Sequence, residues 1–333
     1  MRQALQSAWL RRGVLARLLW PLSLVLRALV ALRRRLYRSG RFKSQRLPVP
    51  VIVVGNVIAG GAGKTPVLLA LLEHLAARGL RAGVISRGYG RTSRDCFYVT
   101  QSSQPDQVGD EPLLIQRAAA VPVAVATRRI DAGRALLAAH PDIQVIVCDD
   151  GLQHLALQRD IELCVFDDRG VGNGWLQPAG PLREPWPRRV DFVLAPRDFA
   201  AANDGYGVER ELAPLICNSS GQRVELASLL GRPLLAVAGI ANPSGFFTML
   251  RDKGLELECT FALPDHYDFS GGPLPLDSAM SVVCTEKDAV KLWRSRPDAW
   301  AVPLVVRIDA AFWPAFDRSL DAKLSSTDGS ETA

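Results

Sequence analysis

Residues 60–66 read Gly60-Gly61-Ala62-Gly63-Lys64-Thr65-Pro66, after an apolar run at 49–54 and before an amphipathic one at 67–78. Strand, glycine-rich loop and helix in that order form the context of a P-loop. Glycines let successive backbone N–H groups turn inward on phosphate oxygens. The helix that follows adds the positive end of its dipole. In that frame Gly60, Gly61, Ala62 and Gly63 cradle phosphate, Lys64 reaches the outer phosphates, and the Thr65 hydroxyl ligates Mg²⁺. Pro66 suits an early helical turn, where its missing N–H has no partner to lose. One spacing departs from the G-x-x-x-x-G-K-[ST] pattern: the first glycine would stand at Ile58, so the loop has to open around Gly55-Asn56. The competing reading, a glycine-rich turn before an ordinary helix, leaves the agreement of loop, Lys-Thr pair and flanking elements unexplained.

The rest of the pattern extends that unit. Strands are predicted at 82–86, 96–100, 121–125, 143–148, 161–166 and 191–195, and helices at 111–120 and 128–139. Near-continuous apolar strands alternating with helices indicate a parallel sheet covered on both faces. The pattern weakens over 200–223. A second series follows: strand 234–238, helix near 244–253, a loop at 264–267, strand 281–284, a helix from 288 and a last strand at 302–308. The expected fold is α/β: a P-loop NTPase-type parallel sheet at 47–222, a smaller α/β domain at 223–322 and a disordered polar tail at 323–333. Six scattered cysteines with no C-x-x-C spacing, two of them (Cys148 and Cys164) in buried strands, favour reduced core thiols over disulfides or zinc.

The net charge of +6 hides a division. Residues 1–50 hold 12 of the 40 basic residues and no acid, so the rest of the chain is net acidic. The same segment carries Leu18, Leu19, Trp20, Leu22, Leu24, Val25, Leu26, Leu29 and Leu32, yet its longest charge-free run, 18–26, falls well short of the ~20 residues a spanning helix needs. Three arginines follow the apolar part in place of a cleavage site. Residues 1–46 therefore read as a basic amphipathic helix in an anionic membrane interface. The competing reading packs the helix on the domain with a solvated basic face. Nucleic acid is a poor fit, because aromatics are not interleaved with the charges.

Asp149-Asp150 end a buried strand, where ligands collect in open α/β sheets and where a P-loop enzyme holds Mg²⁺. Two adjacent carboxylates repel unless a cation is present. Asp110-Glu111 open a helix after Gly109; helix capping competes with a role as general base or metal ligand. Of the four histidines, His74 reads as structural, His140 as a helix C-cap, His154 as undecided, and His266, in the Pro264-Asp265-His266-Tyr267 loop, as evenly balanced between surface and site. Thr285-Glu286-Lys287-Asp288 lacks the spacing of a guanine-reading element, which favours ATP.

Together these pieces resemble the tetraacyldisaccharide 4′-kinase (lipid A 4′-kinase) family. The motifs are Gly55-Asn56 leading to the P-loop, Ser86-Arg87-Gly88-Tyr89-Gly90-Arg91, Gly109-Asp110-Glu111-Pro112, Asp149-Asp150-Gly151-Leu152-Gln153-His154, Pro178 to Glu184, Pro264-Asp265-His266 and Thr285 to Asp288. Leu152 stands where family members more often carry Phe. The resemblance implies ATP and Mg²⁺ as cofactors and transfer to the 4′-hydroxyl of an acylated disaccharide 1-phosphate. It also implies a peripheral, monotopic location on the cytoplasmic face of the bacterial inner membrane; nucleic acid is not expected as a partner, and no obligate protein partner is inferred. It makes Asp110 the catalytic base and His266 its partner, adds Lys64 and Asp150 to the catalytic set, and puts Tyr89 beside the adenine. Thr65, Glu111 and Asp149 become metal ligands, and Arg87, Asn173, Arg183 and Glu184 substrate or phosphate contacts. The alternatives are a P-loop GTPase or ATPase of metalloprotein maturation and a non-catalytic membrane adaptor. The first would favour GTP-reading and metal-carrying clusters, and the second leaves Asp110, Asp150 and His266 unexplained.

Overall fold

The computed structural model describes residues 9–269 and 280–328. Helix α1 (Val14–Arg38) comes first and is followed by strand β1 (Val51–Gly55), whose five residues are all buried. Helix α2 (Lys64–Ala77) leaves the glycine loop, and β2 (Ala82–Ser86) and β3 (Phe97–Val99) follow. A single-turn α3 (Pro105–Val108) leads into α4 (Asp110–Ala119), β4 (Val123–Val125), α5 (Arg129–Ala139), β5 (Val145–Asp149), β6 (Ile161–Val165) and β7 (Phe192–Ala195). These strands build a nine-stranded sheet with β1 at its centre, parallel to both β5 and β6. Side-chain alternation explains why β1 is apolar throughout. Ile52 and Val54 enter a core under α2 and α4, while Val51 and Val53 enter the core on the other face. Each fully buried Val or Ile contributes on the order of 2 kcal/mol relative to exposure.

A short α6 (Arg197–Ala201) and β8 (Tyr206–Leu212) close the first pass through this sheet. The second sheet has six strands in the order β10-β9-β14-β13-β11-β12. Its members are β9 (Leu215–Cys217), β10 (Arg223–Glu225), β11 (Leu234–Ala238), β12 (Leu257–Ala262), β13 (Ser281–Thr285) and β14 (Trp300–Val302). Helices α7 (Pro243–Asp252) and α8 (Glu286–Leu292) belong to the same unit.

Three sequence expectations change here. The single strand expected at 302–308 is two: β14 pairs in the second sheet, and β15 (Leu304–Ile308) returns to the first, antiparallel to β8. Pro303 separates them, having no N–H to continue a ladder. The second unit is therefore inserted between β8 and β15, and the chain does not fall into two consecutive domains split at 222. The tail expected to be disordered from 323 is helical to Asp328 in α9 (Phe312–Asp328); residues 329–333 lie outside the described residues. Phe312, Phe316 and Leu320 of α9 are fully buried in the core beneath α2. His74, read as structural, stacks on Trp313 at 4.2 Å and bonds Asp317 at 2.8 Å. The six cysteines are all free.

Helix α1 lies against the loop at 173–184. Ser23 donates to the Leu176 carbonyl at 2.7 Å, and Arg34 pairs with Glu184. Its other face leaves Leu15, Leu18, Leu22, Val25, Leu29 and Leu32 exposed at alternating spacings of three and four, one continuous apolar stripe. By length and composition the helix is also long and apolar enough to cross a membrane.

Candidate active site

The phosphate loop closes through side chains that substitute for the absent first glycine. Asn56 is fully buried and donates to the Gly60 carbonyl at 3.3 Å, while Gln153 donates to the Asn56 carbonyl at 2.9 Å. Gly63 caps α2 at φ 69°, a left-handed conformation that disfavours a Cβ. Two arginines hold the loop carbonyls from outside. Arg169 donates to Gly61 O at 2.9 Å, and Arg210, from β8, donates to Ala62 O at 3.1 Å. With those carbonyls engaged on one side, the alternating peptide N–H groups remain for the other. Nothing in the local sequence pointed to either arginine, since the loop carbonyls they hold lie over 100 positions away.

Gly61, Ala62, Gly63, Lys64 and Thr65 line a cavity of about 550 Å³. Its remaining wall comes from both units and includes Glu111, Arg210, Phe246, Met249, Asp265 and Lys287. Gly60 is not part of the wall, although its φ of 89° shapes the loop.

Behind Lys64 stand the two acids at the end of β5. Lys64 is 7% exposed, and its Nζ lies 3.6 Å from Asp150 Oδ1. The residues at 57–59 pair with those at 181–183, through Arg183 N to Val57 O at 2.7 Å and Ala59 N to Pro181 O at 2.8 Å. That pairing carries Arg183 over Asp150, where its guanidinium reaches both carboxylate oxygens at 3.0 and 2.9 Å. Lys64 and Arg183 outweigh burial and keep the Asp150 carboxyl below the ordinary range. Asp150 also holds φ 46°, a conformation uncommon outside glycine and found where a site over-determines the backbone.

Asp149 is 1% exposed. Its Oδ2 accepts from Ser86 Oγ at 3.0 Å, but its Oδ1 is buried with no hydrogen-bond partner among the described residues. Burial, with Glu111 and Asp150 nearby, pushes its carboxyl up to about 7. An orphaned carboxylate oxygen facing further carboxylates has the chemistry of a cation ligand. Among the described residues no three His, Cys, Asp or Glu side chains converge on one point. A Mg²⁺ ion here fits the pattern of few protein ligands completed by phosphate and water.

Asp110 does not act as a side-chain cap of its own helix. It is the first residue of α4, Gly109 is the N-cap, and no side chain caps the helix. The Asp110 carboxylate instead crosses to the second unit, where Oδ2 meets His266 Nδ1 at 3.1 Å and Lys291 Nζ at 2.8 Å. These contacts overcome burial and hold its carboxyl below the ordinary range. The approach of the 86–91 loop to this helix start depends on glycines at both points: a Cβ on Gly88 would sit 2.5 Å from Val108 O, and one on Gly109 2.9 Å from Tyr89 O.

Other sequence-derived residues land differently. Tyr89 is 69% exposed, does not line the cavity, and has its ring 5.2 Å from that of His266. Asn173 is buried, and its amide organises its loop, donating to Ala179 O at 2.8 Å and accepting from Trp175 N at 3.0 Å. Glu184 is buried between Arg34, Gln153 and Arg188 and ties α1 to the site. Arg87 is exposed, and its charge acts on His154. Burial first, then Arg129, Arg33, Arg159 and Arg87, lowers the His154 pKa to about 4. His154 Nε2 and Arg129 Nε are buried without a hydrogen-bond partner among the described residues.

Comparison with known proteins gives the family. The tetraacyldisaccharide-1-P 4′-kinase family model matches residues 15–325. A tetraacyldisaccharide 4′-kinase from Acidovorax sp. (strain JS42) is 59% identical over 99% of this chain and 97% of its own length. One from Polaromonas naphthalenivorans is 54% identical over 98% of this chain and 97% of its own. A crystal structure of LpxK from Aquifex aeolicus, described as an "apo" form in complex with ATP, superposes with TM-score 0.80 at 28% identity, covering 92% of this chain and 100% of that one. With motifs, fold and full-length similarity in agreement, the chain belongs to the tetraacyldisaccharide-1-P 4′-kinase family.

Proposed function

We propose that this enzyme transfers the γ-phosphate of ATP to the 4′-hydroxyl of a tetraacyldisaccharide 1-phosphate, a step of lipid A biosynthesis, at the cytoplasmic face of the inner membrane. The observation that carries the reading is the pairing of Asp110 with His266 across the two units, beside a phosphate loop backed by Asp149 and Asp150. Lys64 neutralises charge on the transferring phosphoryl group, and the loop N–H groups orient it. Asp149, Thr65 and Glu111 are the residues that would hold Mg²⁺, which supplies charge neutralisation on the phosphate oxygens. Asp110 takes the hydroxyl proton late in a loose transfer, so a carboxylate of low basicity suffices.

The acceptor side has matching chemistry. The unpartnered nitrogens of His154 and Arg129, with Arg33, Arg87 and Arg159 nearby, suit an anionic head group. The exposed stripe and basic residues of α1 suit an anionic bilayer that holds the acylated substrate. A P-loop GTPase or ATPase of metalloprotein maturation gains no support from this site. Purified protein in detergent, given ATP labelled in the γ position and the lipid disaccharide 1-phosphate, should yield a labelled 1,4′-bisphosphate. Label released only as inorganic phosphate would overturn the reading.

A further inference from the structure

The surface that the second unit turns toward Asp110 carries more than His266. Lys287 and Lys291 are one turn apart on α8, so they share a face. Lys291 Nζ lies 2.8 Å from Asp110 Oδ2. Lys287 Nζ lies 3.1 Å from Asp265 Oδ1, 3.3 Å from His266 Nε2 and 3.7 Å from Glu111 Oε1. Arg294, past the end of α8, reaches Asp106 at 2.7 Å and Gln104 at 2.9 Å. The pairs differ in shielding: the Lys291 and Asp110 side chains are 13% and 7% exposed, against 45% and 62% for Arg294 and Asp106. Solvent screens the outer pair, whereas loss of Lys291 would leave a buried carboxylate with less compensation.

An ammonium group only donates hydrogen bonds. Lys287 Nζ at 3.3 Å is closer to His266 Nε2 than Asp265 Oδ1 at 3.9 Å, which favours that nitrogen as an acceptor and the ring proton on Nδ1, the atom facing Asp110. Among the described residues both side-chain contacts to the Asp110 carboxylate fall on Oδ2, so Oδ1 is the oxygen offered to a hydroxyl.

We propose that Lys287 and Lys291 are positioning residues for proton abstraction: Lys291 sets the Asp110 carboxylate so that Oδ1 faces the acceptor, and Lys287 fixes His266 as the Nδ1–H tautomer. This rests on Asp110 being the base. As the acceptor oxygen bonds to the γ-phosphorus and the bond to the bridging oxygen breaks, ADP leaves and the hydroxyl proton passes to Asp110 Oδ1. The lysines neither gain nor lose a proton.

Imidazole ¹⁵N spectra of the wild-type protein should show His266 protonated at Nδ1 and bare at Nε2, and Lys287→Met should add the Nε2–H tautomer. Lys291→Met should lower kcat at least about tenfold with the KM for ATP within about threefold, since Lys291 is not part of the cavity wall. Lys291→Arg should recover most of that loss. A wild-type spectrum with Nε2–H, or Lys291→Met turnover within about threefold of wild type while Asp110→Ala is inactive, overturns the proposal and leaves the base intact. Normal turnover of Asp110→Ala would instead overturn the base reading itself. The wild-type spectrum needs no variant to fold.

Discussion

The phosphate-loop end of the site and the Asp110 end are built in opposite ways. Lys64, Asp149 and Asp150 stand after adjacent strands of one parallel sheet, where Val54 of β1 is in register with Asp149 of β5. Their spacing is set by that ladder and does not depend on the second unit. Asp110 is 156 positions from His266 and 181 from Lys291, and its partners arrive from the inserted unit. One end is preorganised; the other exists only while the two units touch. On the proposed function, that difference would separate the groups that hold the nucleotide from those that act on the acceptor.

The strongest test of the preorganised end is Lys64→Ala. It should lower kcat by roughly 10²–10³-fold, because a fixed charge aimed at the transferring phosphoryl group is lost. Turnover within about threefold of wild type would show that the loop is not the phosphate site. At the assembled end, Asp110→Ala and His266→Ala should each cost on the order of 10²-fold in kcat, and the double variant little more than the worse single. Nucleotide affinity and melting temperature should change little. Were Asp110 only a helix residue, its loss would cost about 1 kcal/mol of stability and leave turnover near normal. Multiplicative effects in the double variant would break the claim that one unit is assembled across the seam.

Deleting residues 1–40 sharpens the comparison by reaching the acceptor side alone. It removes Arg34 from Glu184 and the exposed stripe of α1, while both sheets begin later in the chain. Nucleotide binding should persist, and transfer to vesicle-borne substrate should fall about tenfold or more, with flotation lost. Flotation equal to the full chain would put the membrane contact elsewhere.

The smallest effect concerns His154. Its pKa is lowered from 6.5 to about 4, chiefly by burial. The unfolded chain therefore takes up the proton as pH falls below about 6.5, and the folded protein only near 4. Stability should decline across that window, and His154→Gln should flatten the decline. Melting curves of the two proteins that run parallel from about pH 7 to 4 would exclude the linkage.

Much of the phosphate end was legible in the sequence because its determinants are local. Glycines that take left-handed φ, a lysine at the start of a helix, and acids after an apolar strand each carry their chemistry in neighbouring residues. Strand β8 was not legible: Tyr206–Leu212 interleaves charges with apolar residues, and it forms because β15 pairs with it from about 100 positions away. The split at Pro303 was missed for a related reason, since each half of the run at 302–308 is strand-like and only the pairing partners differ. The contact of Tyr89 with His266 was equally out of reach of the sequence, since it follows from the tight backbone approach of Gly88 to Gly109.

The sequence by itself determined the α/β class, the phosphate loop, the acids behind it and a basic apolar first helix. These follow from periodicity, glycine conformation and short-range order, all readable within a few turns of chain. Only the tertiary structure decided that Asp110 faces His266 and Lys291 in preference to capping its own helix. It alone showed that Asn173 organises a loop and that Arg169 and Arg210 hold the loop carbonyls. A charged side chain has no role until burial and distance assign its partner, and for these residues that partner lies in a distant part of the chain.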